Sequence, residues 1–408
     1  MTLDGMNIAV IGGGVGGLAA GAAASTRGAR VTVFEKTPRR TESGGGSGIQ
    51  ISPNGTRVLR ALGSIDRTSL PSMPARLLSL KHGPSGREIA RLDIHARHDD
   101  ARYLLVRRSD LVAFLADRAE KRGATLLTGT RADVSFRDGR FEILADAHPL
   151  PGDFDVVVAS DGIQSSIRQR HLPGGRLATE TGQRAWRALA SISSASERLR
   201  SELSEGPCLF TGPGKHLVVY VVPGGPMINI TAITRGCGRN GKPASRTRPE
   251  HDQIELRALY AGWCDSVVSL LDGIQPPEVR ELYRCPVPAA LSRANLVAIG
   301  DAAHPMLPHL AQGASAALED AWTLVEALAN AQTCPAAFTA YERRRRSRVV
   351  RLQSASERSG WIYQLKNPFL RLPVHLGLRA AKPLLPVLLR QWYGWVHDHD
   401  VVAGTARN

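Results

Sequence analysis

Cysteine pairs and metal-ligand clusters are missing from this sequence. Its cysteines are odd in number and form no C-x-x-C pair: Cys208, Cys237, Cys264, Cys285 and Cys334. This pattern argues against a disulfide framework or a zinc site and suits a reducing cytoplasm. The scattered histidines, including His95 and His98, form no metal cluster either, so no metal is predicted.

Long hydrophobic runs are also missing. No stretch reaches the roughly 18 apolar residues that a membrane-spanning helix needs. The apolar stretch 8–24 follows Asp4 rather than a basic region and contains glycines, which is not typical of a signal peptide. The run from Pro383 to Leu389 is short; helix packing is favoured there, and contact with a membrane surface is the alternative. We therefore expect a cytoplasmic protein without a membrane span.

Acidic residues are scarce relative to basic ones. The chain has 37 Asp and Glu against 52 Lys and Arg, a formal net charge of +15. A solvated basic surface is the simpler interpretation, and attraction of anionic ligands such as dinucleotides and aromatic carboxylates is the functional one. Because the arginines are spread along the chain without a DNA- or RNA-binding motif, no nucleic-acid partner is predicted.

The residues that are present describe a globular chain. Its 408 residues are more than a domain with a single hydrophobic core usually contains, and this length fits two closely packed domains. A hydrophobic content of 43% with 22% charged residues excludes a disordered chain. No internal repeat of solenoid period occurs. The sequence leaves open whether the protein is a monomer or a homodimer.

The N-terminal segment predicts a strand, a turn, a helix and a second strand. Asn7 to Ile11 is a short apolar run, typical of a buried parallel strand. Glycines follow, then an Ala-rich helix to about Arg27. Arg30 to Glu35 alternates as a second strand, which completes a βαβ unit.

Two later apolar runs are predicted as further strands of the same sheet. Asp155 to Ala159 leads into Asp161-Gly162, and Asn295 to Ile299 leads into Gly300-Asp301. Ligands in open α/β sheets bind beyond the carboxyl ends of the strands. Three strands far apart in sequence are therefore expected to end at one site.

The middle of the chain predicts a second, mostly antiparallel sheet inserted into the first domain. Leu217 to Val222 and Met227 to Thr234 are strand-like and are separated by a Pro-Gly-Gly-Pro turn. Beyond them, Ala314 to Ala329 and Ala336 to Leu352 are predicted as helices.

The segment Gly12-Gly13-Gly14-Val15-Gly16-Gly17 contains G-x-G-x-x-G. Its glycines permit a tight turn and let backbone N–H groups approach a pyrophosphate at a helix N-terminus. The pattern alone is weak, but here it follows a strand, opens a helix and precedes Glu35 at the end of the second strand. That carboxylate can accept hydrogen bonds from a ribose with a free 2′-hydroxyl, as in FAD or NAD.

Two later motifs favour FAD over NAD. The first is Asp161–Arg168, and the second runs from Gly300-Asp301 through Gln312-Gly313 to Glu319-Asp320-Ala321. A strand that ends in Gly-Asp can present its carboxylate to a ribityl hydroxyl. The helix that begins after Gly313 would point its positive end at a reduced flavin and stabilise the negative charge there.

Together these motifs resemble the class A FAD monooxygenases, the p-hydroxybenzoate hydroxylase-like group. The resemblance spans nearly the whole chain. It rests on the glycine loop with Glu35-Lys36, Gly48–Asn54, Arg108–Leu111, Asp161–Arg168, Trp186-Arg187 and the Gly300-Asp301 motif. Near the C-terminus, Trp392-Tyr393-Gly394 resembles an ending of the salicylate-hydroxylase branch.

The predicted fold class is α/β (α+β), with a Rossmann-like FAD-binding domain, an inserted antiparallel β-sheet domain and a helical C-terminal region. The FAD-binding domain is expected at 1–70, 101–170 and 285–340. The substrate-binding sheet is expected at 71–100 and 171–284, and the helical region at 341–408.

The resemblance also implies a role for each motif. The loop residues Gly12, Gly14, Val15 and Gly17, together with Lys36, would bind FAD, with Glu35 at the AMP ribose. The other implied contacts are Arg108 (ribityl–phosphate region), Val134 (adenine, through its backbone), Asp161 (FAD pyrophosphate, with NAD(P)H as a further ligand left open), Asp301 (ribityl chain), and Gly313 and Ala314 (flavin ring). For Arg108, a surface ion pair with Asp110 is the alternative.

The implied reaction has three parts. NADH or NADPH reduces FAD, O2 adds to give a flavin C4a-hydroperoxide, and an electron-rich aromatic ring attacks its distal oxygen. The protein has to orient the ring, exclude water and remove a phenolic proton.

The candidate proton handlers are His216, Tyr220 and His309. His216 and Tyr220 are four residues apart in a strand-like segment, so they face the same side. A lone histidine is more often structural, but H-x-x-x-Y followed by Pro-His resembles salicylate and 6-hydroxynicotinate hydroxylases. All three residues are therefore predicted to be catalytic.

Three departures from the pattern are visible. Ser160 replaces a more common alanine, which is a mild change. The resembling enzymes often have proline after the tyrosine and arginine before the Gly-Gly turn, where this chain has Val221 and Pro223. A substrate-binding arginine is therefore missing from its usual place.

The sequence thus predicts an FAD-dependent monooxygenase that hydroxylates a small hydroxylated aromatic or pyridine carboxylic acid, with or without decarboxylation. The nearest alternative is a related enzyme for a larger quinone-like or secondary-metabolite substrate. Quinone-pathway relatives commonly carry Asn-Leu-Gly-x-x-Asp where this chain has Ala314–Asp320. A flavin-dependent reductase is a more distant hypothesis, and its redox cysteine pair or second glycine loop does not occur in this sequence. A non-catalytic FAD-binding regulator is a hypothesis from a different functional class.

Overall fold

A computed structural model of the chain describes residues 2–38, 47–66, 68–94, 101–150, 152–236, 249–367, 369, 377 and 394–405. Cys237, His95, His98, the run Pro383–Leu389 and the pair Trp392-Tyr393 lie outside the described residues.

The strands are β1 (Asn7–Ile11), β2 (Arg30–Glu35), β3 (Gly48–Ile51), β4 (Ser72–Ala75), β5 (Leu77–His82), β6 (Glu88–Asp93), β7 (Tyr103–Arg107), β8 (Thr125–Thr128), β9 (Ala132–Arg137), β10 (Arg140–Ala145), β11 (His148–Pro149), β12 (Val156–Ala159), β13 (Thr179–Ser191), β14 (Cys208–Gly212), β15 (Lys215–Val222), β16 (Met227–Arg235), β17 (Glu278–Arg284), β18 (Ser292–Arg293) and β19 (Leu296–Ala298). The α-helices are α1 (Val15–Thr26), α2 (Pro53–Leu62), α3 (Arg108–Lys121), α4 (Ser166–His171), α5 (Glu197–Glu205), α6 (Pro249–Tyr260), α7 (Asp265–Asp272), α8 (Gly313–Asn330) and α9 (Cys334–Tyr363).

The first sheet has the strand order β18-β19-β12-β1-β2-β8 in the described part of the chain. Its β1, β2, β8, β12 and β19 are parallel neighbours, and β1, β2, β12 and β19 carry mostly buried apolar residues, whereas the edge strand β8 is only partly buried. A strand buried on both faces needs such an apolar run. Helix α1, which is rich in Ala and Gly, is buried along almost its whole length and packs against α3 and α8. The predicted Rossmann-like sheet is confirmed.

The second sheet has the order β17-β13-β16-β15-β14-β5-β6 across the described strands. It is antiparallel except where β14 pairs with β5. One face carries Trp186, Leu217 and Ile230 and is covered by α5, α6 and α7. We call the opposite face, which carries His216, Val218, Tyr220, Arg187, Asn229 and Thr231, the inner face.

The inner face packs against a small sheet of β3, β7 and β4. Asn229 accepts a hydrogen bond from the backbone N–H of Gly48 (2.7 Å), and Tyr220 lies in an apolar cluster with Tyr103 and Leu105. These contacts join the second sheet to the small sheet. The mixed α/β fold class is confirmed, whereas the predicted residue boundaries of the domains stay a prediction.

Two helices differ from their predicted bounds. Helix α8 extends the predicted Ala314–Ala329 by one residue at each end. Helix α9 begins at Cys334 and ends at Tyr363, eleven residues beyond the predicted Leu352. Residue 341, where the helical C-terminal region was predicted to begin, therefore lies inside this helix. Among the described residues, no helix is both long and apolar enough to cross a membrane.

Candidate cofactor and active site

The glycine turn joins β1 to α1 with very little space between backbone segments. Gly12 has a φ of +109°, and a Cβ there would lie 2.2 Å from the Ser160 carbonyl oxygen. A Cβ on Gly17 would lie 2.0 Å from the Gly12 carbonyl oxygen. Gly14 faces open space at the N-cap of α1, Val15 begins the helix, and no side chain caps it. The N–H groups of this helix end are thus available to an anion.

Glu35 ends β2 beside this turn. Its carboxylate accepts hydrogen bonds from the backbone N–H groups of Gly13 and Thr37, both at 2.8 Å. Each carboxylate oxygen keeps a further lone pair for a ribose hydroxyl. The neighbouring Lys36 is exposed.

The motifs after β12 and β19 are held together by one buried arginine. Arg168 donates hydrogen bonds to the carbonyl oxygens of Asp301 (3.2 Å), Ala302 (3.0 Å) and Ile163 (2.7 Å). Because β1, β12 and β19 are adjacent, the glycine turn, Asp161 and Asp301 all follow the carboxyl edge of the first sheet. The structure therefore brings the three predicted motifs to one edge.

Two carboxylates at this edge are not fully hydrogen-bonded by the described residues, although Ser165 and the backbone N–H of Ile167 bind the Asp161 carboxylate. The Oδ1 atom of Asp161 is buried and has no hydrogen-bond partner among the described residues, and burial raises the pKa of this carboxyl. Asp301 is exposed at the edge, yet the surrounding protein excludes enough water to raise its pKa. Nearby His304, Arg108, Arg168 and Arg187 oppose that rise.

The start of α8 is fixed by a buried polar network. Gln312 donates to the Ser52 hydroxyl (2.9 Å), and Asn54 donates to Gln312 (3.2 Å) and Glu319 (2.6 Å). Gly313 and Ala314 are half-buried, and no side chain caps this helix N-terminus. The positive end of α8 is thus oriented without being neutralised.

Behind this helix end lies a buried charge network. Glu319 pairs with Arg345 (2.5 Å) and Arg348 (2.6 Å), and Asp320 pairs with Arg345 (2.7 Å) and with His304. Asp320 also accepts from the backbone N–H of Gly300 (2.8 Å). Burial raises the pKa of both carboxyls, but Arg345 and Arg348 lower that of Glu319 to about 2, and His304 and Arg345 lower that of Asp320 to about 2. The network ties the Gly300-Asp301 turn, α8 and α9 together.

Two predicted cofactor residues lie beside this core of the site. Arg108 begins α3, is exposed, and forms no ion pair with Asp110 within the described ranges. Val134 is buried in β9, and its backbone N–H donates to the Asp133 carboxylate at 2.8 Å. Their predicted contacts with FAD stay predictions.

The inner face places His216 and Tyr220 on one side of β15. Both are buried, at 1% and 2% exposure, and Val218 lies between them. Four residues of strand span about 13 Å, so the two side chains mark opposite ends of a site. Burial raises the pKa of Tyr220, which keeps its phenol protonated as a hydrogen-bond donor.

His309 approaches His216 from the other side. Their ring centroids are 5.2 Å apart, and Tyr363 lies 5.5 Å from His216. Both ring nitrogens of His309 are buried without a hydrogen-bond partner in the described part of the chain. Burial, with a smaller contribution from Arg235, lowers the pKa of His309 to about 4. His309 is therefore a neutral imidazole near pH 7.

Helix α9 holds the loop that carries His309. Gln353 donates to the Pro305 carbonyl (2.8 Å) and Ser356 to the Leu307 carbonyl (2.5 Å). At Gly360 the helix passes so close that a Cβ would lie 2.3 Å from His309 Cδ2. These three positions lie on one helix face, with spacings of three and four residues.

Two residues of the site had no predicted role. Arg187 lies on the inner face, directly opposite Thr231 of β16. Gln364, at the end of α9, donates to His216 Nδ1 at 3.0 Å. The Trp186-Arg187 pair was a sequence signal for the first, whereas no sequence pattern pointed to the second.

These features fit FAD. The close glycine turn, an uncapped helix N-terminus, the buried unpartnered Asp161 oxygen and the exposed Asp301 carboxylate lie along one sheet edge. The glycine turn and the helix N-terminus offer backbone N–H groups to the phosphates of an adenine dinucleotide. The carboxylates can accept hydrogen bonds from its ribose and ribityl hydroxyls. Within the described residues, no three His, Cys, Asp or Glu side chains gather as metal ligands would.

Comparisons with known proteins agree with this assignment. The model of a family described as "FAD binding domain" matches residues 5–356. The 6-hydroxynicotinate 3-monooxygenase of Bordetella bronchiseptica is 31% identical over 390 residues, covering 88% of this chain and 93% of that protein. The 3-amino-4-hydroxybenzoate 2-monooxygenase of Streptomyces cremeus is 32% identical over 335 residues, covering 79% and 78%.

A solved structure shares the fold. The salicylate hydroxylase substrate complex superposes with a TM-score of 0.75 at 23% identity, covering 98% of this chain and 97% of that one.

Proposed function

The chain belongs to the FAD-binding-domain family and is an FAD-dependent monooxygenase of the aromatic-hydroxylase type, and on this premise we propose that it hydroxylates a small hydroxylated aromatic or pyridine carboxylic acid. The predicted resemblance to class A flavin hydroxylases is confirmed. Two relatives named for hydroxylated acids, one a pyridine and one a benzoate, support the proposed substrate class. Loss of the carboxylate during the reaction is left open.

FAD, reduced by NADH or NADPH, would supply the activated oxygen for the substrate ring. The glycine turn and Glu35 would hold its AMP half, and Asp161 and Asp301 its pyrophosphate and ribityl regions. Gly313 and Ala314, at the uncapped start of α8, would lie against the ring system. The other tasks belong to the protein's own side chains.

The observation that carries the proposal is the buried histidine pair. A ring with a phenolic hydroxyl is more nucleophilic once it loses its proton, so the site needs a neutral base close to that hydroxyl. His309 is neutral, enclosed, and has both ring nitrogens unpartnered within the described residues. His216, 5.2 Å away, gives the same oxygen a second polar contact.

Arg187 and Tyr220 would bind the acid group of the substrate. Arg187 has no hydrogen bond or ion pair within the described part of the chain, and burial lowers its pKa without removing its charge. Glu278, directly opposite Arg187 on β17, raises that pKa again, and Arg280, Tyr220 and Arg108 make smaller contributions. Arg187 shares the inner face with Tyr220, because β16 pairs with both β13 and β15. We propose that Arg187 supplies the cation that the resembling enzymes often carry where this chain has Pro223.

The function is tested by turnover with a panel of acids. FAD-reconstituted protein is given NADH or NADPH with 3-hydroxybenzoate, salicylate or 6-hydroxynicotinate, and cofactor oxidation and product mass are measured. Strong stimulation by one acid, with a hydroxylated product, is expected. A yellow, folded protein that no acid stimulates would contradict the small-acid proposal and favour a larger quinone-like or secondary-metabolite substrate.

The role of Arg187 is tested with acids and their neutral amides. Arg187→Met is expected to weaken binding of the acid by about tenfold or more, because charge-assisted hydrogen bonds contribute about 1.5–3 kcal/mol. Binding of the amide should change little, and Arg187→Lys should recover part of the affinity. Equal losses for acid and amide would contradict the proposal. A selective loss of FAD instead would assign Arg187 to the cofactor phosphates.

We further propose that the protein acts in the reducing cytoplasm. The four described cysteines, Cys208, Cys264, Cys285 and Cys334, are free thiols. Its proposed partners are the acid, O2 and NAD(P)H, with no nucleic acid.

A further inference from the structure

Gln364 is a buried amide that contacts the proposed active site from the end of α9. It is 3% exposed, and its Nε2 atom lies 3.0 Å from His216 Nδ1 and 3.4 Å from the carbonyl oxygen of Ile233. A carbonyl oxygen can only accept, so it requires the NH2 group of the amide on this side. The orientation of the Gln364 amide is therefore fixed by the Ile233 carbonyl oxygen, which can act only as a hydrogen-bond acceptor.

This orientation determines which nitrogen of His216 carries the proton. Since Gln364 donates to Nδ1, Nδ1 is an acceptor and the proton of the neutral ring lies on Nε2. Burial, His309 and Arg235 all hold the pKa of His216 well below its ordinary value, so the neutral ring is the relevant form. His216 thus presents an N–H donor, whereas His309 presents an unpartnered acceptor.

The charges around the pair agree with this division. His216 faces His309 from the loop after β19, Arg235 from β16, and Tyr363 and Gln364 from α9. Tyr260 of α6 donates to the His216 carbonyl (2.9 Å). No carboxylate contributes to the pKa of either histidine in the described part of the chain. The site therefore lacks the anion that would stabilise a protonated His216, and Gln364 occupies the place that a carboxylate takes in histidine–carboxylate pairs.

We propose that Gln364 is a positioning residue that holds His216 in its Nε2–H form, so that His216 donates to the phenolic oxygen of the substrate while His309 takes the phenolic proton. The inference rests on the proposed function of this site. In the proton transfer, the substrate O–H bond breaks and an N–H bond forms on His309. The resulting phenolate oxygen accepts the hydrogen bond from His216 Nε2.

The ring proton can be measured directly. In holoenzyme labelled with 15N-histidine, the His216 signals are assigned by their loss in His216→Gln. The wild-type ring is expected to show an unprotonated Nδ1 and a protonated Nε2. Gln364→Glu places a carboxylate against Nδ1, so it is expected to move the proton to Nδ1 and raise the pKa of His216. A wild-type ring protonated on Nδ1 would overturn the inference, whatever the substrate.

Kinetics give a second readout. Both Gln364→Glu and Gln364→Leu are expected to lower kcat by about tenfold or more, the lower end of the loss seen when the partner that orients a metal-bound histidine is removed. Only Gln364→Glu should add a new titration to the pH profile of kcat/KM, because only it stabilises the imidazolium. Wild-type kinetics and pH profile in both variants would contradict the inference.

A matched control separates this role from the general cost of replacing a buried amide. Gln253 of α6 donates to the Ile274 carbonyl (2.9 Å), on the side of the second sheet away from the site. Gln253→Glu is expected to leave kcat and its pH profile unchanged. If no acid of the panel stimulates the wild type, the proposed function fails, and the ring proton of His216 still tests the inference by NMR.

Discussion

At the scale of single residues, burial sets the chemistry of the site. His309 would titrate near pH 6.5 in water, and its enclosed position lowers its pKa to about 4. Because the neutral form is the proton acceptor, His309 remains competent at every pH above that value and loses this ability as the pH falls through it. A surface histidine in the same role would lose it about 2.5 pH units earlier, near pH 6.5.

This shift predicts the acidic limb of the activity profile. For the wild type, kcat/KM is expected to fall only as the pH approaches about 4. His309→Gln should lower kcat/KM by about 100-fold and remove this limb, because general bases contribute about 10²–10⁴-fold. The exposed His148 is the control, since His148→Gln should change neither. Full turnover in His309→Gln would refute the assigned role.

At the scale of elements, α9 positions the catalytic loop. Its residues Gln353, Ser356 and Gly360 contact the loop 305–310, and Gln364 ends the same face at His216. The predicted helix ends at Leu352, and the residues beyond it include four weak helix formers, Ser354, Ser356, Ser359 and Gly360. Contacts with a loop about 50 residues earlier in the chain override that local preference, and no local pattern reveals them.

Gly360 tests this positioning. Gly360→Ala should favour the helix by about 1 kcal/mol, yet its methyl group would lie within 2.3 Å of His309. The expected result is a folded protein that binds FAD normally and turns over at least tenfold more slowly. Ser354→Ala, at an exposed position of the same helix, should keep full activity. Normal turnover in Gly360→Ala would show that His309 can move without loss.

Local sequence patterns were sufficient for other elements. The bounds of β1 and β2 match their prediction. A buried parallel strand appears as a continuous apolar run and a glycine turn as adjacent glycines, so both can be recognised from neighbouring residues alone. The shared side of His216 and Tyr220 followed from the two-residue period of a strand. The contact of Gln364 with His216 and that of Arg168 with Asp301 could not be predicted in this way. The two residues of each pair are 148 and 133 positions apart in the chain, so no local pattern links them.

At the scale of the whole molecule, a buried charge network connects the cofactor edge to the C-terminal part of the chain. Glu319 and Asp320 balance Arg345 and Arg348, and Arg348 also donates to the Trp395 and Val396 carbonyls. Two carboxylates and two guanidinium groups balance each other here, so the network is neutral and the chain's net charge of +15 resides elsewhere. Near Asp301, Arg108 and Arg187 form no salt bridge in the described ranges, although Glu278 lies opposite Arg187 in the sheet. Together with Arg168 they give that edge a positive character suited to anions.

Glu319 tests the contribution of this network to stability. Glu319→Gln leaves two buried guanidinium groups with less negative charge and is expected to cost about 3 kcal/mol or more of unfolding free energy. The measurement is urea unfolding of the apoprotein, and Arg348→Gln in the same chain should recover part of the loss. Asp117→Asn, which breaks the exposed pair with Lys121, should cost less than about 1 kcal/mol. Equal costs for Glu319→Gln and Asp117→Asn would contradict a structural role for the network.

The most direct test of the account is to follow the oxygen atom. The holoenzyme is given NAD(P)H, 18O2 and the acid that stimulates it most, and the product is weighed by mass spectrometry. We expect a hydroxylated product in which the new hydroxyl carries one 18O atom, together with consumption of NAD(P)H. Consumption of NAD(P)H without labelled product from any hydroxylated aromatic or pyridine acid would contradict it.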